Sequence, residues 1–308
     1  MSAVASPVDA SEARSNRLKA WAAFASVGVA LLLTVAKTGA YVVTGSVSLL
    51  STLVDSALDL AASLINLVAI FQAAVPADRE HRFGHGKAEP LAGLGQAAFI
   101  AGSSVFVLVQ AADRLFRPAP LTNETVGIAV MVLSIGVTFG LVLFQRRVIR
   151  ATGSIAIGAD ALHYRSDLLI NLAVIAALIA SGTFGWALAD PLLAGTVALY
   201  ILWSAWGIFA TSVNLLMDRE LPEADRERIR AIAMGHPAVI SMHDLRTRSS
   251  GTQTFIQFHL EMDPELTLID AHTIAYSVMH QVEAAFPNSE VLIHEDPFGV
   301  KEPRPSFE

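Results

Sequence analysis

The sequence predicts an α-helical membrane protein with six transmembrane helices, followed by a C-terminal α+β domain of order α-β-β-α-β. Three observations carry this expectation. The chain of 308 residues is 53% hydrophobic and only 16% charged, with a mean hydropathy of +0.52, too apolar for a soluble domain of that length. The apolar residues lie mainly between Trp21 and Asn214, whereas from Asp218 onward charges recur every few positions, as in an ordinary globular sequence. The apolar part divides into six stretches of the roughly 20 residues that a hydrocarbon core about 30 Å thick requires.

Residues 1–17 have no core pattern and no basic-then-apolar leader layout, and are expected to be a disordered tail. The membrane domain, residues 18–214, should place helices near 20–43, 48–74, 91–115, 125–145, 158–180 and 187–213. Between them lie Thr44-Gly45-Ser46, the polar run Pro76 to Pro90, Arg117-Pro118-Ala119-Pro120, Gln145-Arg146-Arg147 and Ser181-Gly182-Thr183. An even number of spans puts both ends on one side. Arg14, Arg17, Lys19, Arg79, Arg82, Lys87, Arg146, Arg147 and Arg150 share that side against Arg114 and Arg117 opposite, so the positive-inside rule places both termini in the cytoplasm of an inner-membrane, multi-pass protein. Residues 215–300 then form the second domain: an amphipathic helix from Pro222 to Met234, strands Val239–Ser249 and Thr252–Met262 turning at Gly251, a helix Leu268–Phe286 and a strand Glu290–His294. Sheet on one side and helices on the other make a two-layer domain. Residues 301–308 are a C-terminal tail.

The net charge of −7 offers no basic stripe for nucleic acid. With no cysteine in the chain, any metal is held by imidazole and carboxylate. A charge at the centre of a span costs about 2.5–3.5 kcal/mol on insertion scales, so each one asks for a partner or a cavity. Lys37, near the outer end of the first span, is expected to snorkel, and Asp113 and Arg114 to be interfacial. Span two holds Asp55 and Asp59, and span five holds His163 and Asp167, each pair at i, i+4 on one helix face. The two spans run in opposite directions. At 1.5 Å per residue Asp55 then lies level with Asp167 and Asp59 with His163. Three carboxylates and one imidazole at one depth form a complete tetrahedral set for zinc, with ferrous iron and cadmium as alternatives. A metallohydrolase would keep an open position at the metal and a general base beside it, so the filled set argues for moving the ion rather than activating water; a metal-gated channel could use the same carboxylates. A second cluster, Asp78, His81 and His85, lies in the loop between spans two and three. A third, His243, His259, His272, His294 and Asp296, lies in the C-terminal domain, where His294 and Asp296 alternate along one strand face.

Five segments together resemble one family, the cation diffusion facilitators, and its bacterial zinc/iron/cadmium efflux branch. They are residues 41–48 (YVVTGSVS), 53–59 (LVDSALD), 81–89 (HRFGHGKAE), 159–167 (ADALHYRSD) and 243–248 (HDLRTR). The resemblance implies a homodimer in which each protomer exchanges a cytoplasmic divalent ion, zinc first, for protons through Asp55, Asp59, His163 and Asp167. No bond-making chemistry is expected. It further implies an accessory metal site at Asp78, His81 and His85, and a metallochaperone-like cytoplasmic domain whose two-zinc site lies at the dimer interface with Asp296 as the bridge. Lys87 and Asp218 match a structural pair that ties the helical bundles of the dimer together at the membrane surface. His236 and His280 match no position of the pattern and are read as surface residues.

Overall fold

The computed structural model describes residues 7–44, 47–116, 125–184, 186, 188–251 and 253–300. Six long helices come first: α1 (Pro7–Thr44), α2 (Val47–Ala73), α3 (Ala88–Phe116), α4 (Thr125–Thr152), α5 (Ile155–Phe184) and α6 (Ala189–Leu216). After them come α7 (Glu223–Met234), β1 (Ser241–Ser250), β2 (Gln253–Met262), α8 (Leu268–Ala285) and β3 (Ser289–Pro297). The tail expected to be disordered through residue 17 is helical from Pro7. Proline suits a first helical position because its missing N–H would go unpaired there, and the run Ala10-Ser11-Glu12-Ala13 that follows has no breaker. The breaks at residues 45–46 and 117–120 and the C-terminal tail lie outside the described residues.

The chain forms two compact units. One comprises Ala13–Pro76 and Ala88–Val213; the other contains Ala77–Lys87 and the chain from Asn214 onward. In the helical unit, Ala13–Val43, Thr52–Ala73, Ala88–Phe116, Ala129–Thr152 and Ala189–Leu216 are long and apolar enough to cross a membrane. Helix α5, of 30 residues, has the length expected of the sixth span, and Asp160, His163, Arg165 and Asp167 break its apolar run. It packs against α2, α3 and α4, which puts its polar half inside the bundle. Small residues fill the contacts: Ala22, Ala23, Ala156, Ala159, Ala177, Ala189 and Ala198 are fully buried, as expected where helices associate by close packing in lipid. Gly93 is one such point, since a methyl group there would stand 2.9 Å from Ile155 and from Ser212. Large apolar side chains such as Ile65, Val68, Trp203 and Trp206 face outward.

The other unit is a three-stranded sheet in the order β1-β2-β3, β1 and β2 antiparallel and β2 and β3 parallel. Ile256, Phe258, Leu260 and Met262 alternate onto one face and meet Ile229 and Ala233 of α7 and Val278 and Val282 of α8, forming a core of its own. The opposite face carries the odd-numbered side chains of β2. At its far end Phe83 from the 77–87 loop meets Phe255 edge-on at 5.3 Å, and the Arg248 guanidinium lies 4.3 Å from the Phe83 ring centre and 4.8 Å from that of Phe255. The loop backbone comes close too: a Cβ on Gly86 would lie 2.3 Å from the Ser250 carbonyl oxygen.

Candidate metal centres

The membrane cluster is built by α2 and α5. His163 Nε2 lies 3.0 Å from Asp59 Oδ1 and 3.8 Å from Asp167 Oδ2, and ligand atoms of these three residues all fall within 4.8 Å of one another. The imidazole is buried and held between the rings of Phe99 and Tyr164, with centroids 5.9 and 5.4 Å away. Its Nε2 is the atom that faces both carboxylates. Of the four residues matched in depth, the structure brings three together; Asp55, one turn along α2 from Asp59, is exposed and stands outside the group.

Beside this cluster lies a polar network that sequence reasoning missed. Asp160, fully buried, accepts hydrogen bonds from Ser26 on α1, from Gln145 on α4 at 2.7 Å and from Gln96 on α3 at 3.3 Å. The Tyr164 hydroxyl pairs with Ser63 of α2 at 2.9 Å and donates to the Ser26 carbonyl at 3.1 Å. Asp160 stands in the same motif as His163, three residues before it, and that spacing was the available signal. A buried ion pair, Lys19 with Glu89 at 2.5 Å, joins α1 to α3. The Lys37 ammonium is tied to α2, donating to the Ser56 hydroxyl at 2.6 Å and the Thr52 carbonyl at 3.2 Å. Arg114 pairs with Asp190 at 2.6 Å.

In the 77–87 loop the cluster closes on a turn, not a helix. Asp78 Oδ1 accepts the backbone N–H groups of Glu80 and His81 at 2.8 and 2.6 Å, which turns both imidazoles toward the carboxylate. His81 Nδ1 is 3.5 Å from Asp78 Oδ1 and His85 Nε2 is 3.6 Å from Oδ2, the rings 4.4 Å apart. The hydrogen bond from the His81 backbone, with the smaller one from Glu80, holds the Asp78 carboxyl below the usual carboxylate range. The same unit contains the Lys87–Asp218 pair, 2.9 Å apart, with Arg248 on the other Asp218 oxygen at 3.5 Å.

On the sheet, register assembles the third cluster. His243 pairs with His259 across β1–β2, and His259 with His294 across β2–β3, so the three imidazoles form one row. The next row on that face is Ser241, Glu261 and Asp296. Asp296 reaches back to all three rings: Oδ2 lies 3.2 Å from His243 Nε2 and 2.9 Å from His259 Nδ1, and Oδ1 lies 3.1 Å from His294 Nε2. One carboxylate thus offers a separate oxygen to each side, the geometry of a bridge. Glu261, absent from the sequence-level candidates, lies 3.9 Å from His243 Nδ1; the alternation Phe255, Gln257, His259, Glu261 along β2 was its signal. His272 is apart from the row, on α8, exposed and 3.9 Å from Glu295. His236 accepts the Ala238 N–H at 3.3 Å, and His280 is an exposed partner of Glu283 at 3.1 Å.

Residues 23–217 match the family model described as the cation efflux transmembrane domain, and residues 221–298 the model of the cation efflux protein, cytoplasmic domain. The chain is 48% identical over 277 residues, 90% of its length and 93% of the relative's, to the cation-efflux pump FieF of Shewanella oneidensis. It is 46% identical over 285 residues, 92% of its length and 95% of the relative's, to that of Salmonella arizonae. Among solved structures, the metal-bound C-terminal domain of the CzcD transporter from Thermotoga maritima matches at 29% identity and a TM-score of 0.25, covering 26% of this chain and 93% of that one.

Proposed function

The chain belongs to the cation efflux family, whose members are transporters and not enzymes, and from that premise we propose that it exports zinc in exchange for protons as a homodimer. That it is a multi-pass membrane protein for divalent metal efflux follows from the family. The finer reading rests on one observation: an imidazole nitrogen inside the helical bundle lies 3.0 Å from one carboxylate and 3.8 Å from another, a position that a metal ion or a proton would fill. Asp59, His163 and Asp167 hold the ion, and Asp55, one turn along the same helix, completes a tetrahedral shell. One imidazole among carboxylates favours zinc, ferrous iron or cadmium over magnesium and calcium. Loss of protons on metal entry and their return on release is what couples the two fluxes.

The histidine row of the C-terminal sheet suits resident zinc. His243, His259 and Asp296 would hold one ion and His294 with the second Asp296 oxygen another, joined by His272 once α8 and β3 draw together. That His243 Nδ1 is buried without a hydrogen-bond partner fits a ring placed for metal. Leu268, Ile269 and Tyr276 of α8 and Leu292 of β3 are more than half exposed, an apolar face suited to the second protomer. The loop residues Asp78, His81 and His85 form an accessory site, Lys87–Asp218 is a structural pair, and the positive-inside asymmetry puts both termini in the cytoplasm.

A panel of zinc, iron(II), cadmium and manganese offered to sealed vesicles with an imposed proton gradient tests this reading. Zinc should accumulate against its gradient and stop when the pH gradient is collapsed. Downhill flux alone, indifferent to pH, would instead identify a metal-gated channel.

A further inference from the structure

We propose that Lys37 is a built-in counter-cation of the membrane metal site, a fixed charge that keeps the site weak enough to release its ion. This rests on the assignment of Asp55, Asp59, His163 and Asp167 to the transport site. The lysine belongs to α1, seven residues before its end at Thr44. A lysine there reaches the nearer membrane surface by extending toward that end. This one instead donates to two oxygens of α2, Ser56 Oγ at 2.6 Å and the Thr52 carbonyl at 3.2 Å, and Ser56 is nine residues, about 13 Å of helix axis, inside the start of α2 at Val47. A half-buried ammonium held on two neutral oxygens gains its compensation from nearby negative charge. Ser56 is next to Asp55 in the chain and three residues from Asp59, hence on the same helix face as the latter. Both Asp55 and Asp167 lie within electrostatic reach of the ammonium. The contact is not required to hold α1 on α2, because Thr34 Oγ1 already donates to the Ser56 carbonyl at 3.1 Å. The other cation near this depth, Arg165, is turned to the Tyr200 hydroxyl on α6.

Asp59 and Asp167 converge on His163 with Asp55 one turn away, these carboxylates repel one another without an ion, and Lys37 offsets part of that repulsion. Once a divalent ion arrives, the same charge opposes it twice as strongly as it would a proton. The cation therefore weakens metal binding more than proton binding and favours exchange of one for the other.

The test uses full-length protein carrying Asp78→Ala and Asp296→Ala, so that zinc titrated calorimetrically at fixed pH reports the membrane site. Lys37→Gln, which keeps a donor for Ser56 without the charge, should tighten zinc binding by about tenfold or more and slow efflux from preloaded vesicles. Lys37→Arg should bind zinc as the parent does, and Lys37→Met serves as a second neutral variant if the glutamine form fails to fold. Unchanged or weaker binding by both neutral variants, with Asp59→Ala losing zinc altogether, overturns the role of Lys37 and leaves the transport site standing. If Asp59→Ala binds zinc as tightly as the parent, the site assignment itself falls and the counter-cation with it.

Discussion

Single side chains decide how the membrane site discriminates. Asp59 and His163 face each other at 3.0 Å, and the Phe99 and Tyr164 rings flank the imidazole, so replacing either by Ala should abolish zinc transport while leaving expression and dimerisation near wild type. Vesicle flux and size-exclusion chromatography check this together. His163→Asp leaves an all-oxygen shell, and in a competition assay manganese should gain on zinc; an unchanged selectivity series would show that the imidazole does not set preference. Asp78 permits a pH statement. Its carboxyl is held low by backbone N–H donors, so the turn it stabilises is fully supported above the ordinary aspartate range near pH 4 and is lost as pH falls through the still lower folded value. Protection of the His81 amide in hydrogen exchange should therefore hold from neutral pH down to about 4 and collapse below. Loss of protection already at pH 6 would contradict the capping role.

At the scale of elements, the 77–87 loop is pinned to the β1–β2 hairpin by contacts that single substitutions can break. A methyl group at Gly86 would meet the Ser250 carbonyl at 2.3 Å, a distance no packing adjustment absorbs without moving backbone. Gly86→Ala should raise protease sensitivity between residues 77 and 87, and Phe83→Ala, which strips the ring from Arg248 and Phe255, should cost about 0.5–1.5 kcal/mol and do so more mildly. Equal resistance of the Gly86→Ala form would mean that the loop does not need this contact. Such docking was not legible in the sequence, because it depends on two distant glycines, Gly86 and Gly251, sharing one narrow gap. What could be read was whatever repeats along a single element. The six spans follow from apolar length, Asp59, His163 and Asp167 from i, i+4 spacing on antiparallel helices, and the His294–Asp296 pair from strand alternation. Asp160 and its partners Ser26, Gln96 and Gln145 come from four different helices, and none has a local pattern that marks it. The partners of Lys37, the Ser56 hydroxyl and the Thr52 carbonyl, belong to another helix, so no pattern along α1 marks them. His272 sits on a helix and is not tied to the sheet register that aligns the other three imidazoles.

For the whole molecule, the decisive point is that each unit carries its own candidate metal cluster, Asp59, His163 and Asp167 in one and His243, His259 and Asp296 in the other. The core of the C-terminal unit consists of residues from Ile229 to Val291, all beyond Asp218, so the segment from Asp218 should fold by itself as a soluble protein and bind zinc. An ion that binds only the native state stabilises it by RT ln(1 + [L]/Kd), about 2.7 kcal/mol at a hundredfold excess over Kd, and the melting temperature should rise with zinc accordingly. Asp296 touches His243, His259 and His294, so Asp296→Ala should erase most of that rise. His236→Ala, whose ring only caps Ala238, should leave it in place. In the full chain the same Asp296→Ala change should slow transport without stopping it, because Asp59, His163 and Asp167 belong to α2 and α5 alone. Calorimetry with no zinc bound by the isolated domain, or with equal binding by its Asp296→Ala form, would reduce the histidine row to a surface feature. A full-length Asp296→Ala protein with no flux at all would mean that the soluble unit is needed for the membrane site to work.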